Sequence, residues 1–365
     1  MKVWILANVA RAVPGGMRRH MELHAEGLRR LGHEASLFFS EDFGGAVAER
    51  VPKRLPGIKT LLSLRARHAR ELPDVVNIHT ECAPAWILAK EAGHLRSRVV
   101  VMSYAADESA IKVERPRDLL RLARAALPAR STFPRADGIW CVNTSDLDYY
   151  RLRYRVEASK LRCIPHAVND SFYHHDGAPE RDHRQLLFAG TWITRKGVDV
   201  LARALDLALV EAPELRVVLA GTLVSADEVR RSLAPHVAER TSIIPRADDQ
   251  ELSRLYRTSG LLLLPSRLEG LPIMMLEAMA SGCPALAAAN SGMLDVIEPG
   301  RNGWLEKSFE PERWARRIVE LARSPEALAV ASRGAMMTAE AFRIDSVGRV
   351  ALEWYSSLLA RDQRT

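Results

Sequence analysis

The chain has 365 residues, of which 47% are hydrophobic and 27% charged, and this length exceeds what one hydrophobic core usually serves, so we expect two domains. No apolar run approaches the roughly 18 to 20 residues that span a bilayer, and the opening MKVWILANVA is too soon interrupted for a signal peptide, so we expect a cytoplasmic protein. The cysteines contain no C-x-x-C pair and indicate neither a zinc knuckle nor a disulfide framework; they are Cys82, Cys141, Cys163 and Cys283.

The formal net charge of +7 is unevenly distributed. Residues 1–170 hold 28 Lys/Arg and 19 Asp/Glu, a net charge of +9, whereas residues 171–365 hold 24 and 26, a net charge of −2. Two segments concentrate the excess, Arg50 to Arg70 with seven basic and no acidic residues, and Lys112 to Arg135 with seven basic and two acidic. A solvated face and a peripheral contact with the anionic inner membrane face both stay open, whereas no recognition motif supports nucleic acid.

Apolar runs of about five to seven residues alternate with longer amphipathic segments, which is typical of parallel sheets covered by helices. In the first half of the chain, strands are predicted near residues 2–8, 35–39, 74–78, 98–103, 138–142 and 161–164. In the second half, they are predicted near residues 185–189, 215–220, 241–244, 260–264 and 283–288. The pattern predicts an α/β protein with a parallel, helix-covered sheet in each half.

A polar, turn-rich segment separates the two halves. Residues 169–184, NDSFYHHDGAPERDHR, lack periodicity and are predicted to link a first domain over residues 1–168 to a second over residues 185–344. Residues 345–365 begin with a helical pattern whose apolar stripe is predicted to be buried, namely Val347, Val350, Ala351, Trp354, Tyr355 and Leu358.

Two glycines follow the first predicted strand. Gly15 and Gly16 open a predicted helix. Glycines allow close approach of the backbone to a ligand, and the free N–H groups of a helix start attract anions. Two glycines before a helix are also typical of a plain turn. Gly15 and Gly16 therefore indicate a ligand-binding loop only together with the other motifs.

Two adjacent cations follow the predicted strand at 185–189. Arg195 and Lys196 precede Gly197 at the head of a predicted helix. Cations at this position can neutralise a leaving phosphate. Two solvated side chains at a helix start are the alternative.

The most informative stretch is residues 261–284, LLLLPSRLEGLPIMMLEAMASGCP. Four leucines predict a buried strand, and Pro272 marks a helix start. Glu269 lies in the intervening loop, and Glu277 lies eight positions later, about one turn into the helix. The N–H groups of Leu271 to Met274 would point into the same space, so the stretch predicts a diphosphate site.

These segments together resemble glycosyltransferase family 4. PSRLEG and LEAMASGCP match the family's P-S-x-x-E-G loop and L-E-A-M-A-x-G-x-P helix, the Gly15-Gly16 loop resembles its P-x-x-G-G loop, and NSGMLDVIEPGRNGWL resembles its G-x-x-E-V-I-x-x-G-x-x-G-x-L segment. The resemblance implies the GT-B fold, in which two Rossmann-like domains with parallel sheets face a central cleft. It also implies that residues 345–365 return to pack on the first domain.

The resemblance implies transfer of a hexose from a UDP- or GDP-linked sugar to a hydroxyl acceptor, with retention at the anomeric carbon and without a cofactor or metal ion. The acceptor can be a glycan, a lipid-linked molecule or a small molecule. By this resemblance Glu269 lies near the donor sugar hydroxyls, Glu277 on the ribose and Lys196 on the diphosphate, and Glu269, Lys196 and Arg195 are the catalytic candidates. The donor-binding candidates are Gly15, Gly16, Thr191, Lys196, Arg246, Gly270, Leu271, Pro272, Ile273 and Glu277.

Three positions depart from the family pattern. Thr191 stands where the family has an arginine on the diphosphate, so either Arg195 substitutes for it or that arginine is dispensable in this branch. Tyr104 stands where the family has a histidine, and His166-Ala167 replaces the usual Asn-Gly. The acceptor side is therefore weakly defined, and isolated histidines are more often surface or packing residues. Its candidates are Tyr104, His79 and His20.

A metal site is the alternative reading of Asp146-Leu147-Asp148, because Asp-x-Asp after a strand binds the metal of a nucleotide sugar in the other glycosyltransferase fold. The preceding Asn143 is a good helix N-cap, and aspartates favour the first turn of a helix. We therefore predict no metal ion at these residues.

Retention by double displacement would need two carboxylates about 5 to 5.5 Å apart, and the sequence offers no convincing second one. A same-face mechanism is favoured, in which the leaving phosphate accepts the proton of the acceptor and the site supplies charge and orientation. Two other classes stay open. One is a GT-B nucleotide-sugar epimerase or sugar phosphorylase, and the other is a catalytically silent sugar-nucleotide-binding subunit.

Overall fold

The computed structural model describes residues 1–11, 15–44, 55–103, 130–173 and 181–361. The chain divides into two compact units. The first unit comprises Met1–Ala167 and Ile344–Thr365, and the second comprises Val168–Arg343. Among the described residues, no helix combines the length and the apolar character needed to cross a membrane.

The first unit is built on a six-stranded parallel sheet of order β2-β1-β3-β4-β5-β6. Its strands are β1 Lys2–Leu6, β2 Glu34–Phe38, β3 Val75–His79, β4 Arg98–Ser103, β5 Gly138–Cys141 and β6 Leu161–Cys163. The described helices between them are α1 Gly16–Arg30, α2 Pro56–Glu71, α3 Ala83–Glu91 and α4 Thr144–Tyr154.

The second unit repeats this plan with a six-stranded parallel sheet of order β12-β11-β10-β7-β8-β9. Its strands are β7 Asp182–Ala189, β8 Arg216–Ala220, β9 Thr241–Ile244, β10 Ser259–Leu264, β11 Ala285–Ala288 and β12 Gly303–Glu306. Its helices are α5 Val198–Glu211, α6 Ala226–Arg231, α7 Pro235–Ala238, α8 Asp249–Thr258, α9 Ile273–Ala280, α10 Ser291–Val296, α11 Pro311–Ala322 and α12 Pro325–Ala339.

The strand predictions rest on continuous apolar runs, and parallel strands covered on both faces produce such runs. In β10 all six residues, SGLLLL, are buried. Each of the eleven predicted strands coincides with an observed one. The twelfth strand, β12, has the sequence GWLE and was not predicted, because a four-residue edge strand with two non-hydrophobic positions leaves no apolar run.

Strand β5 shows how helices cover both faces of the first sheet, since successive side chains of a strand point to opposite faces. Ile139 and Cys141 belong to a core cluster with side chains of α2, α3 and α4. Trp140 points the other way, against His24 of α1 at 4.8 Å and Tyr355 at 6.3 Å between ring centroids. Tyr355 belongs to α13, Ile344–Ala360, the last described helix. Helices α2 to α4 therefore form one layer, and α1 and α13 form the other.

The predicted linker, residues 169–184, differs from the structure at both ends. Its beginning folds into a short 3-10 turn, Asp170–Phe172, and Phe172 and Tyr173 are buried. The Tyr173 hydroxyl donates to the Ala339 carbonyl at 2.7 Å. Its end, from Asp182, belongs to β7. Burial of two aromatic rings places this segment in the second unit, although its composition is that of a connector.

Candidate functional site

The carboxyl ends of β7 and β10 bring two of the predicted motifs together. The two strands are parallel neighbours, with Leu261 opposite Leu186 and Leu262 opposite Leu187. The loops that follow them therefore emerge at the same edge of the sheet, which is where α/β folds bind ligands. One loop carries the predicted cations and the other carries Glu269.

Lys196 and Glu269 form a buried ion pair at this edge. Lys196 Nζ donates to Glu269 Oε1 at 2.5 Å, and the two residues are 7% and 8% exposed. Removing both charges from water costs several kcal/mol per ion, on the order of what a close, hydrogen-bonded partner recovers. The pair therefore fixes both side chains in place, and the reading of Lys196 as a solvated residue does not hold.

Gly197 allows the two loops to approach. It follows a short 3-10 turn, Thr194–Lys196, and has a φ of +71°. A Cβ atom at this position would lie 1.9 Å from the Pro265 carbonyl oxygen, so only glycine fits. The backbone contact brings Lys196 to the loop after β10.

Arg195 lies at the exposed side of the pair. Its Nη1 donates to the Leu268 carbonyl at 2.9 Å and lies 3.6 Å from Glu269 Oε2, and its side chain is 47% exposed. Glu269 is thus flanked by a buried cation and a half-exposed one. Arg195 can reorient towards an anion at lower cost than Lys196, since its charge keeps contact with water.

A second ion pair, which the sequence analysis missed, joins the first turn of α5 to the loop after β10. Arg267 donates to Asp199 Oδ1 and Oδ2 at 2.6 and 2.7 Å, and its Nη1 also donates to the Thr194 carbonyl at 2.8 Å. Hydrogen bonds from Arg267 lower the pKa of Asp199 below its usual value. The two residues are 68 positions apart, so no local pattern could indicate this clamp.

Helix α9 begins beside these cations. Pro272 is its N-cap, and the first intrahelical bonds are donated by Met275 and Leu276, so the amides of Ile273 and Met274 precede the helical ladder. A Cβ atom built on Gly190, at the end of β7, would lie 3.4 Å from Met274 Cε and 3.9 Å from Lys196 Cε. The helix start, the end of β7 and Lys196 are therefore neighbours.

The loop after β11 braces the Glu269 loop. Gly292 N donates to the Gly270 carbonyl at 2.9 Å, and a Cβ atom on Gly292 would lie 2.3 Å from that oxygen. Asn290 Nδ2 donates to the Ser266 carbonyl at 2.8 Å. The connections after β7 and after β11 thus both contact the loop after β10.

The other donor-side candidates occupy different environments. Glu277 lies one turn into α9 and is 3% exposed. Thr191 is half-buried, next to Gly190. Arg246 is exposed in the loop after β9, two strands away from β7 in the sheet order. Gly270, Leu271, Pro272 and Ile273 are all buried between Glu269 and the start of α9.

The glycine candidates lie in the first unit. Gly15 is the N-cap of α1 and Gly16 its first residue. Gly15 has an extended backbone, and a Cβ atom there would meet no atom of the described residues within 4 Å, so within this part of the chain neither conformation nor crowding demands glycine.

Three histidines of the first unit, His20, His24 and His166, form a buried cluster and are not isolated. His20 Nδ1 and His166 Nδ1 lie 2.8 Å apart, and each residue is 3% exposed. His24, one turn from His20, lies with its Nε2 3.0 Å from the Tyr355 hydroxyl. Burial lowers the pKa of His24 and of His166 to about 3, and it lowers the pKa of His20. These rings are neutral packing groups, and His20 offers a ligand little surface.

Two further acceptor-side positions differ from His20. His79 ends β3 and is half-buried. Tyr104 lies outside the described residues.

The Asp146 segment forms a capped helix start. Asn143 Oδ1 accepts from the Asp146 amide at 2.8 Å, which confirms the N-cap prediction. Asp148 Oδ1 lies 2.9 Å from Arg151 Nη2. Among the described residues, no group of three or more His, Cys, Asp or Glu is arranged to hold a metal ion.

Two family descriptions match the chain. "Glycosyltransferase Family 4" matches residues 14–172, and "Glycosyl transferases group 1" matches residues 171–336. Together they cover both units.

Curated relatives carry the name D-inositol 3-phosphate glycosyltransferase. The protein from Thermobispora bispora is 32% identical over 194 residues, which are 50% of this chain and 45% of the relative. The protein from Streptomyces avermitilis is 29% identical over 248 residues, 63% of this chain and 53% of the relative. The chain thus spans about half the length of these relatives.

Solved structures match over nearly the whole chain. Sucrose-phosphate synthase from Thermosynechococcus elongatus has a TM-score of 0.78 at 17% identity, covering 99% of this chain and 100% of that one. HepE from Anabaena, in complex with UDP, has a TM-score of 0.73 at 15% identity, covering 98% and 100%. At these identities the likeness concerns the fold, which is the two-unit α/β GT-B fold.

Proposed function

Since this chain belongs to glycosyltransferase family 4, we propose that it moves a hexose from a nucleotide-diphosphate sugar to a hydroxyl acceptor, with retention at the anomeric carbon. The observation that carries the proposal is the buried Lys196–Glu269 pair beside Arg195, at the start of α9. Curated relatives are named as glycosyltransferases, and HepE is described in complex with UDP and with UDP-glucose, which supports a nucleotide-sugar donor.

Lys196, Arg195 and the first amides of α9 neutralise the donor diphosphate in this proposal. Phosphoryl oxygens are stabilised by cations and by the free N–H groups of a helix start. Thr191 cannot supply a charge, and Arg195 is held next to Lys196 through the shared carboxylate of Glu269. Arg195 is therefore the second cation, in place of the arginine that the family pattern has at position 191.

The two glutamates take different roles. Glu269 sits in the loop with one oxygen on Lys196 and the other 3.6 Å from Arg195, so it orients both cations and can accept a hydrogen bond from the donor sugar. Glu277 lies deeper, one turn into α9, and is proposed to contact the ribose hydroxyls. Loss of Glu269 should affect the reacting centre, and loss of Glu277 should affect donor binding.

The proposed chemistry is a same-face displacement. The bond between the anomeric carbon and the leaving phosphate oxygen breaks, and the acceptor oxygen bonds to that carbon from the same side. The proton of the acceptor passes to the leaving phosphate oxygen. Positioning and charge stabilisation supply the rate enhancement, and no step is assigned to a metal ion.

The location is proposed from charge. Residues 1–170 carry a net charge of +9, and we propose that the protein works on the cytoplasmic side of an anionic membrane, near a lipid-linked or membrane-proximal acceptor. Parts of both basic segments lie outside the described residues, namely residues 50–54 of the first and residues 112–129 of the second. The described part of the first segment is residues 55–70, most of which form α2.

Product analysis tests the proposal. Calorimetry with a panel of UDP- and GDP-linked hexoses identifies the donor, and the protein is then incubated with that donor and a set of hydroxyl acceptors, with and without EDTA. We expect release of the nucleoside diphosphate and a glycoside of unchanged anomeric configuration, with EDTA having no effect. An epimerised donor, a sugar phosphate made only with phosphate present, or binding without turnover would each support one of the rival classes.

A further inference from the structure

The outward face of α2 carries apolar side chains where a solvated helix carries polar ones. Leu55, the N-cap residue, Ile58 and Leu62 are 42%, 41% and 37% exposed. Spacings of three and four residues place them along one side of the helix, and the exposed Ala66 and Ala69 extend the row. We call these five residues the α2 stripe.

The inward side of α2 is fixed by packing, so the helix cannot turn the α2 stripe into the core. A Cβ atom on Gly57 would lie 2.5 Å from the Cys82 carbonyl oxygen, which brings the helix close to the start of α3. Leu64 is 4% exposed within the core cluster. His68 Nε2 lies 2.7 Å from Ser97 Oγ.

Basic side chains border the α2 stripe on both sides. At 100° per residue, Arg65 lies on one border and Lys59 and Arg70 lie on the other. Arg65 and Arg70 are exposed, and Lys59 is half-buried.

The one acidic residue between Leu55 and Leu72 is turned away from this face. Glu71 accepts from Arg67 Nε at 2.6 Å and from Trp4 Nε1 at 3.3 Å, towards the sheet. The outward face of α2 therefore presents apolar groups and positive charge without a carboxylate.

The other two described helices of the same layer also expose large apolar side chains. Leu88 of α3 is 49% exposed, and Leu152 of α4 is 74% exposed between Arg151 and Arg153. In the described part of the first unit, the large hydrophobic side chains that are more than one third exposed are Leu55, Ile58, Leu62, Leu72, Leu88 and Leu152. All lie on α2, α3 or α4 or at the end of α2, and the layer formed by α1 and α13 has none.

We propose that the α2 stripe lies on an anionic lipid bilayer and is, within the described part of the chain, an element that holds this protein at the membrane. An apolar row bordered by arginines suits the boundary between head groups and acyl chains, because the apolar side chains enter and the long cationic ones reach the head groups. This inference rests on the membrane-proximal location proposed above and assigns it to one helix face.

Sedimentation with vesicles tests the inference. The protein should pellet with phosphatidylglycerol vesicles at low ionic strength, should not pellet with phosphatidylcholine vesicles, and should be released by high salt. Ile58→Gln/Leu62→Gln and Arg65→Gln/Arg70→Gln should each weaken the partition coefficient about tenfold or more. Arg203→Gln/Arg333→Gln, which removes the same charge from exposed positions of the second unit, should bind like the wild type.

A fluorescent reporter adds a readout of depth. A polarity-sensitive label on Leu62→Cys should shift to the blue with phosphatidylglycerol vesicles, whereas the same label on Leu207→Cys, 44% exposed on α5, should not. Urea midpoints confirm that each variant is folded.

Several outcomes would overturn the inference. They are absence of capture at low salt, equal capture by phosphatidylcholine, equal binding of the Ile58/Leu62 variant, and a concentration-dependent dimer abolished by that variant, which would make a second copy the occupant. Donor binding measured without vesicles should be the same in all α2 variants. Failure of lipid binding and failure of the proposed sugar transfer are therefore separately visible.

Discussion

The two units bury polar side chains in opposite ways. In the second unit, Lys196 and Glu269 are both more than nine-tenths buried, and each compensates the charge of the other at 2.5 Å. In the first unit, His20, His24 and His166 are as deeply buried, and burial lowers their pKa so that they carry no charge. A buried ionisable group must be either paired or neutral. The second unit pairs Lys196 with Glu269, and the first unit keeps its three histidines neutral.

The difference predicts how each region responds to change. Replacing one partner of a buried ion pair leaves the other charge buried without compensation. The stability of the second unit should therefore be sensitive to substitution of Lys196 or Glu269. A neutral ring takes up a proton at low pH, so the first unit should be sensitive to acid.

Replacing one partner of the pair should have the largest effect. Lys196→Met leaves Glu269 buried without its closest cation, and we expect a loss of about 3 to 5 kcal/mol in the free energy of unfolding. Urea denaturation at pH 7.5 measures it. Lys196→Met/Glu269→Leu, which removes both charges, should recover most of the loss. A solvent-exposed ion pair contributes at most about 1 kcal/mol. If the free energy of unfolding of Lys196→Met differs from that of the wild type by less than this amount, the pair is not buried in solution.

The second prediction separates the two glutamates by their kinetics. Glu269→Gln should lower kcat about a hundredfold or more, since a preorganised contact at the developing charge is worth about 3 to 4 kcal/mol. Glu277→Ala should raise the KM for the donor with a smaller change in kcat. Steady-state kinetics with the identified donor decide between them. Near-normal turnover of the Glu269 variant would remove that residue from the reacting centre.

The third prediction concerns acid and the histidines. The folded-state pKa of His24 is about 3, below the ordinary value, so the unfolded chain binds more protons below pH 6.5 and stability falls as the pH drops from 6.5 towards 3. His24 alone should remove about 2 kcal/mol between pH 7.5 and pH 5. Urea midpoints at the two pH values measure this, and His24→Asn should flatten the slope. Equal slopes in variant and wild type would contradict the neutral cluster.

The smallest effect on stability is expected at the half-exposed cation. Arg195→Gln should change the free energy of unfolding by less than about 0.5 kcal/mol, because solvent screens this charge. It should nevertheless raise the donor KM about tenfold, since a charge-assisted contact to the diphosphate is lost. Arg195→Lys should restore part of the affinity. An unchanged donor KM in Arg195→Gln would show that Arg195 does not replace the arginine that the family pattern has at position 191.

The sequence predicted the strands better than the contacts between loops. An apolar run such as SGLLLL indicates a buried strand from its local composition alone, so eleven strands could be predicted. The short edge strand β12 has no such run and could not be predicted. The linker prediction treated Phe172 and Tyr173 as part of a polar segment, but both pack into the second unit.

Pairings across long separations account for what the sequence analysis missed at the site. Lys196 and Glu269 were each predicted as candidates, but their contact spans 73 positions. The Asp199–Arg267 clamp left no local pattern at all. The histidines looked isolated because His20 and His166 are 146 positions apart in the chain.

The position of α13 at the end of the chain affects the order in which the two units can fold during translation. Helix α13 completes the first unit, with Tyr355 fully buried and Trp354 packed so tightly that a Cβ atom on Gly138 would lie 2.7 Å from its ring. The second unit, Val168–Arg343, is continuous and is synthesised before α13. During translation the second unit can therefore finish folding first, while this face of the first sheet still lacks α13 and is covered by α1. The part of the protein made earliest is the last to become complete.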